Sequence, residues 1–258
     1  MKKRDLITGW CILLVVLLLG SGFQTTGERA KTIRLSRPGQ AYTLEVTNGQ
    51  GSVTVEAYNG KGVNVSADRR PPGADDKAEQ GNVYPDQDFI ITEHDNQVSI
   101  RAKDPEHLNN IRLQVPAGAS SIKLATHNKG NITVSNISAP LEINHLNGNI
   151  SLQHVAGPVV ASTLNGRIEA SFSHTDANTA MAFSNLNGDI DLLFPADFHA
   201  NVRLKVAKGE IIFRYFNATG YHLDKADNSQ WTTGQIGGGG PELMVSCGRG
   251  NIIIKKQR

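Results

Sequence analysis

The chain has 258 residues, 26 basic and 24 acidic, with eight histidines and two cysteines. Setting aside Lys2, Lys3, Arg4 and Asp5 leaves 23 charges of each sign, and no Lys/Arg-rich block with interleaved aromatics is present, which excludes the electrostatic footprint of a nucleic-acid binder. Beyond Cys11 only Cys247 remains, so a chain that loses its N-terminus has no intramolecular disulfide, and stability falls to packing and backbone pairing.

Met1-Lys2-Lys3-Arg4 is followed from Leu6 to Gly22 by an apolar run that contains Ile12-Leu13-Leu14-Val15-Val16-Leu17-Leu18-Leu19. This is the layout of a secretory signal peptide, expected over 1–22, with Gly20 and Gly22 as the small residues a peptidase reads and cleavage near Phe23 or, second, Ala30. The alternative is an uncleaved N-terminal membrane anchor, because the run sits at the short edge of a bilayer span. Cys11 lies inside the run and reads as part of the signal. The expected location is the periplasm or cell surface, with the membrane touched only through this segment if it stays attached.

Residues 23–39 read as a linker and 40–116 as an irregular β region. There, Leu44-Glu45-Val46 leads through Asn48-Gly49-Gln50-Gly51 into Val53-Thr54-Val55, and Asn59-Gly60-Lys61-Gly62 into Val63-Asn64-Val65. The Pro/Asp-rich stretch 69–88 has no apolar periodicity and reads as a surface loop. Strands resume at Phe89-Ile90-Ile91, Val98-Ser99-Ile100 and Ile111-Arg112-Leu113. No amphipathic helix is expected after the signal.

The second half, 117–258, is a repeat. Gly130, Gly148, Gly166, Gly188, Gly209 and Gly250 are spaced by 18, 18, 22, 21 and 41 residues, the last interval being close to two units. Ile stands two residues after every one of these glycines, and Val134, Leu152, Ala170, Leu192, Phe213 and Ile254 stand four after. Mostly polar residues fall between, so each segment alternates as a strand with one buried face. Five residues before each glycine the column is Ala125, Ile143, Ala161, Phe183, Leu204 and Val245. The unit is strand, tight turn, strand, with Asn and Gly at the turn because both tolerate positive φ.

Two all-β architectures suit a two-strand unit of about 20 residues. In a β-solenoid each unit is one coil and equivalent side chains stack at about 4.8 Å; in an antiparallel β-sandwich each unit is a hairpin. The solenoid is preferred because the columns keep residue type as well as polarity. The Asn-Gly-x-Ile units, Val115-Pro116 ahead of them and the turn Gly237-Gly238-Gly239-Gly240 resemble the bacterial DUF4097 adhesin-type β-strand repeat proteins over roughly residues 40 to 258. The resemblance implies an exported, non-catalytic cell-envelope protein, an adhesin or scaffold for glycan or envelope partners, and no particular functional residue.

The candidates for chemistry are few. His127 and His145 both stand three residues before a glycine, but Thr163 and Asn185 follow in that column, while zinc usually needs three or four ligands; a structural ladder or surface role is expected, with no metal and no cofactor. Arg167, Glu169, Asp189, Asp191 and Glu210 form a charged face on three successive units. It is either a solvated surface or the acidic set of a β-helix carbohydrate-active enzyme. Tyr215, Phe216, Tyr221 and Trp231 gather between Phe213 and Gly240, either as a sugar-contacting cluster or as cover for the end of the stack. A third reading is an envelope-stress regulatory module beside a membrane partner, which an uncleaved N-terminal helix favours. The basic end, Lys255-Lys256-Gln257-Arg258, reads as a solvated tail.

Overall fold

The computed structural model describes residues 30–69, 81–82, 85–175, 178–214, 221–225 and 231–257. The apolar segment 1–22, most of the loop expected at 69–88, Tyr215 and Phe216 lie outside the described residues. In the N-terminal region the strands are β1 (Lys31–Arg34), β2 (Tyr42–Gln50), β3 (Val53–Tyr58), β4 (Gly62–Arg69) and β5 (Gly81–Asn82). A single helical turn, α1 (Pro85–Asp88), then precedes β6 (Phe89–His94), β7 (Gln97–Ala102) and β8 (Asn109–Pro116). So the expected linker contains a strand, β1, and the end of the expected loop holds β5 and α1.

The repeats give β9 (Ala119–Asn128), β10 (Ile132–Ser135), β11 (Leu141–Asn147), β12 (Ile150–Val155), β13 (Val159–Asn165) and β14 (Ile168–Phe172). They continue through β15 (Met181–Asn187), β16 (Ile190–Phe194), β17 (Ala200–Lys208) and β18 (Ile211–Arg214). Two antiparallel strands, β19 (Tyr221–Lys225) and β20 (Thr232–Ile236), come before the final pair, β21 (Glu242–Arg249) and β22 (Ile252–Lys256).

The strands on the two sides of a glycine do not pair with each other. Each joins one of two 11-stranded sheets. The pre-glycine sheet takes β9, β11, β13, β15, β17 and β21; the post-glycine sheet takes β10, β12, β14, β16, β18 and β22. Within each sheet successive units pair in parallel, so Ile132, Ile150, Ile168, Ile190 and Ile252 align across neighbouring strands. All five are fully buried, each adding about 2 kcal/mol of transfer free energy. Opposite them run Leu124, Ile143, Ala161, Phe183 and Val245. Ala161 stands beside Phe183 and Ala170 two residues before Phe172. With small residues next to large ones, the rings of Phe172 and Phe183 meet edge to face, their centroids 6.4 Å apart.

The crossing between sheets explains the glycines. Gly148 has φ 147°, and a Cβ there would lie 1.8 Å from the Gly130 carbonyl oxygen, because the turns of adjacent units stack backbone on backbone. Only glycine fits.

Two expectations from the repeat need correction. The units are not stacked in sequence order: in space the order is β7/β8, β2/β3, β9/β10, β11/β12, β13/β14, β15/β16, β21/β22, β17/β18. The last pair slots inside the stack, where its strands bond on both sides, and β2/β3 is held in the same way at the other end. Antiparallel strands then line the ends: β6 on β7, β4 on β8, β1 on β4, and β20 and β19 beyond β17. Parallel edges left bare template association, and antiparallel strands cap three of the four; among the described strands β18 remains a parallel edge.

The second correction is a one-residue slip. Thr126, not His127, pairs with His145, and Leu124, not Ala125, with Ile143. Lys129, at φ 49°, is an extra residue between Asn128 and Gly130. Counting back from the glycine therefore misplaces every residue of β9 by one.

Candidate functional site

The turn edge carries three polar rows. In the outermost, Asn147 Nδ2 donates to Asn128 Oδ1 (2.6 Å), Asn165 to Asn147 (2.7 Å) and Asn187 to Asn165 (2.7 Å). In the next, side-chain oxygens one residue after the glycine accept from the following unit: Arg167 N donates to Asn149 Oδ1 (2.8 Å) and Asn251 N to Asp189 Oδ1 (2.8 Å). These rows bind unit to unit and explain why Asn recurs there.

The third row is buried and contains His145. Thr163 Oγ1 donates to the Gly148 carbonyl (3.2 Å), Asn185 Nδ2 to the carbonyls of Gly166 (2.9 Å) and Gly188 (2.8 Å), and Cys247 Sγ to Gly188 (3.3 Å). His145 does the same through Nε2 to Gly130 (3.1 Å), since a carbonyl only accepts. Its Nδ1 then accepts from the Thr126 hydroxyl. Burial holds the His145 pKa below the ordinary histidine value, outweighing the carbonyls of Gly130 and Thr126, which pull it the other way. Burial also pushes the Cys247 thiol up, so it is unreactive. His127, displaced by the slip, is exposed. Among the described residues no three of His, Cys, Asp and Glu gather as metal ligands.

On the outer post-glycine face, Arg167 and Asp191 come together. Asp191, with its side chain only 6% exposed, accepts from Arg167 (2.9 Å) and from Lys255 Nζ (2.6 Å). Glu169 is beside Asp191 in register and exposed, and Asp189 holds the turn of the following unit. Glu210 is not next to Asp189: the inserted β22 places Asn251 between them, and Glu210 N donates to Asn251 Oδ1 (3.0 Å). The charged face is thus interrupted. Lys255, expected in a solvated tail, is the residue that sequence reading missed. Its signal was the alternation Asn251, Ile253, Lys255, which keeps it on the outer face. Gln257 is also tied down, its N donating to Phe194 O and its Nε2 to Phe172 O (2.9 Å each).

The outer pre-glycine face is different. Its middle row is short and polar: Asn144, Ser162, Ser184 and Ser246, with Ser162 Oγ donating to Asn144 Oδ1 (2.8 Å). Leu146, Leu164 and Leu186 form an exposed row on one side, Val160 and Met244 stand exposed on the other. At the far end Trp231 lies under Arg203 (5.1 Å to the ring centroid) and Lys205 (5.7 Å). Such cation–ring contacts contribute about 0.5–1 kcal/mol at exposed sites. Tyr221 begins β19, its backbone paired with Ile236. An apolar pocket of about 200 Å³ lies elsewhere, lined by Ala57, Val115, Pro116, Gly118, Ile137 and Ala139, smaller than sites that engulf a small molecule.

No family model matches the chain, and no curated protein matches it. Among solved structures, a "putative cell adhesion protein" from Clostridium sporogenes is similar in fold, with a TM-score of 0.54 at 12% identity, covering 89% of this chain and 99% of that one. A "putative adhesin" from Bacteroides fragilis matches at 0.27 and 8% identity (90% and 98% covered), and a "putative lipid binding protein" from Parabacteroides distasonis at 0.28 and 10% (91% and 98%). The first of these establishes an all-β fold shared along nearly the whole of both chains.

Proposed function

We propose that this is an exported, non-catalytic cell-envelope protein of the DUF4097 adhesin type, a two-sheet β-solenoid that offers its outer surface to an envelope partner. The observation that carries the reading is the outer pre-glycine face, where five large apolar side chains stand exposed along one rigid sheet. Monomeric proteins seldom leave such a row uncovered. The likeness in fold to the Clostridium sporogenes protein supports the same reading. Trp231, with Arg203 and Lys205 against it, is the place on that face best suited to a sugar ring. On the opposite face Asp191 is already engaged by two cations and Glu210 is separated from Asp189 by the inserted β22, which weighs against the carbohydrate-active alternative.

The test is retention. The mature protein is expected to sediment with envelope or cell-wall material and to lose at least about 1 kcal/mol of that binding, roughly fivefold in affinity, with Trp231→Ala. Absence of retention on every envelope fraction rejects the reading. Mass spectrometry of the N-terminus is expected to show cleavage near Phe23; an intact N-terminus favours an anchored regulatory module instead.

A further inference from the structure

We infer that the outer pre-glycine face docks a second copy of this chain, the two stacks running in opposite directions with a two-fold axis along β15. This deepens the adhesin reading by naming the partner, and it is tested in solution, away from any envelope.

The stack order β9, β11, β13, β15, β21, β17 sets a row of outward residues: Lys123, Glu142, Val160, Ala182, Met244, Arg203. Lys123 and Glu142, paired at 2.8 Å, stand at one end, Arg203, 3.4 Å from Glu242, stands at the other, and the middle is apolar. Beside it Leu146, Leu164 and Leu186 are 45%, 42% and 50% exposed, and Val160 is 51% exposed. The Ser/Asn row between them is too short to hold a facing surface away. A flat sheet face of this kind is complemented by another sheet face, packed nearly aligned, and a closed pair needs a self-complementary patch.

Only some alignments are self-complementary. With the axis along β15, β13 faces β21 and β11 faces β17 of the second copy. Glu142 then meets Arg203 twice by symmetry, Val160 meets Met244, and bulky residues meet small ones: Leu164 against Gly248 and Leu146 against Ala207. Moving the axis between β13 and β15 sets Lys123 against Arg203. Turning it along the stack sets Glu142 against Leu146 and Lys205 against Lys205. Charge therefore selects the first arrangement.

Area sets the strength. About six strands at about 4.8 Å by about 20 Å of outward residues is roughly 600 Å² per copy, or about 1,200 Å² in all, the lower limit for a specific interface. A weak pair is expected, strengthened between surfaces that carry many copies.

Sedimentation equilibrium of the purified protein is expected to show a monomer–dimer exchange at about micromolar concentration. Leu164→Glu and Leu186→Glu each weaken it by about tenfold or more. These residues are exposed, so melting checks that folding is kept. Glu142→Arg and Arg203→Glu each weaken it similarly, and the double exchange restores it to within about threefold. A protein that stays monomeric near millimolar concentration, or a dimer indifferent to the leucine changes and to the charge exchange, overturns the inference. Envelope retention by a strict monomer overturns it while leaving the proposed function standing; a dimer with no retention does the reverse.

Discussion

The two outer faces of the stack are made by the same repeat, yet one satisfies its charges internally and the other leaves apolar side chains open. On the post-glycine face Arg167 and Lys255 converge on a buried Asp191. On the pre-glycine face Leu146, Leu164, Leu186, Val160 and Met244 point outward over a floor of serines. The inner rows and the turn rows are nearly interchangeable from unit to unit because stacking dictates them. Outward positions escape that demand, so the difference between the faces is where the chain's binding chemistry is free to be written.

The comparison exists only while the turns hold the two sheets together, so the largest effect is expected there. At Gly166 φ is 149°, and an added Cβ would lie 2.0 Å from the Gly148 carbonyl oxygen. Gly166→Ala is expected to cost about 3 kcal/mol or more in chemical denaturation, because the backbone of two units must move. Gly118, at φ 92° with nothing within 4 Å of the added Cβ, has the strain without the clash. Gly118→Ala should cost only about 1–2 kcal/mol.

On the charged face, Asp191→Ala leaves two cations facing each other without their anion. Arg167 is 45% exposed and Lys255 24%, so solvent relieves part of the penalty. A loss of about 2 kcal/mol is expected, below that of a fully buried pair. Glu169→Ala, on the same face but exposed, should change stability by less than about 0.5 kcal/mol. Equal effects at the two positions would mean that Asp191 is not the hub of the face.

His145 gives a pH dependence that neither face shares. Burial lowers its folded pKa, so the native state favours the neutral ring. Its contribution is complete above the unfolded value near 6.5 and is lost as pH falls toward the folded value, where the unfolded chain takes up the proton first. The urea midpoint is expected to drop between pH 7 and pH 5. His145→Asn, a residue the same row accepts at position 185, should flatten that drop while still donating to the Gly130 carbonyl. An unchanged drop in the variant would assign it to other groups.

Much of this was legible in the sequence. Period-two alternation and the Asn-Gly-x-Ile spacing predicted the strands and the buried isoleucines, since both follow from local geometry. The stack order was not legible: whether Ile252 pairs with Ile190 or only with Ile211 depends on which edge the last strands reach, and nothing local to Arg249-Gly250-Asn251-Ile252 distinguishes them. For the same reason Glu210 looked adjacent to Asp189, and Lys255 looked free. The leucine row was visible as His-Leu-Asn-Gly, Thr-Leu-Asn-Gly and Asn-Leu-Asn-Gly, but facing it outward required the register. The histidine pair failed for a smaller reason, one inserted residue.

That insertion gives the gentlest test. Lys129 lies between Asn128, which pairs with Gln50, and Gly130, while the turns on both sides of it in the stack, Gln50-Gly51-Ser52-Val53 and Asn147-Gly148-Asn149-Ile150, are one residue shorter. Deleting Lys129 removes a non-glycine residue at φ 49°, whose left-handed backbone costs about 1–2 kcal/mol. It also removes one hydrogen bond, because Gly51 N reaches both Asn128 O (3.2 Å) and Lys129 O (2.6 Å), and the first partner remains. These effects nearly cancel, so the melting midpoint should stay close to that of the parent chain, with β9 and β10 in their present registers. If the turn instead needs its extra residue to close, the deletion will pull all of β9 one residue out of step, turning the buried Ile122 and Leu124 to solvent and unfolding the junction with β2. A stable deletion variant therefore shows that Lys129 is a dispensable insertion between two aligned strands, and an unfolded one that the turn depends on it.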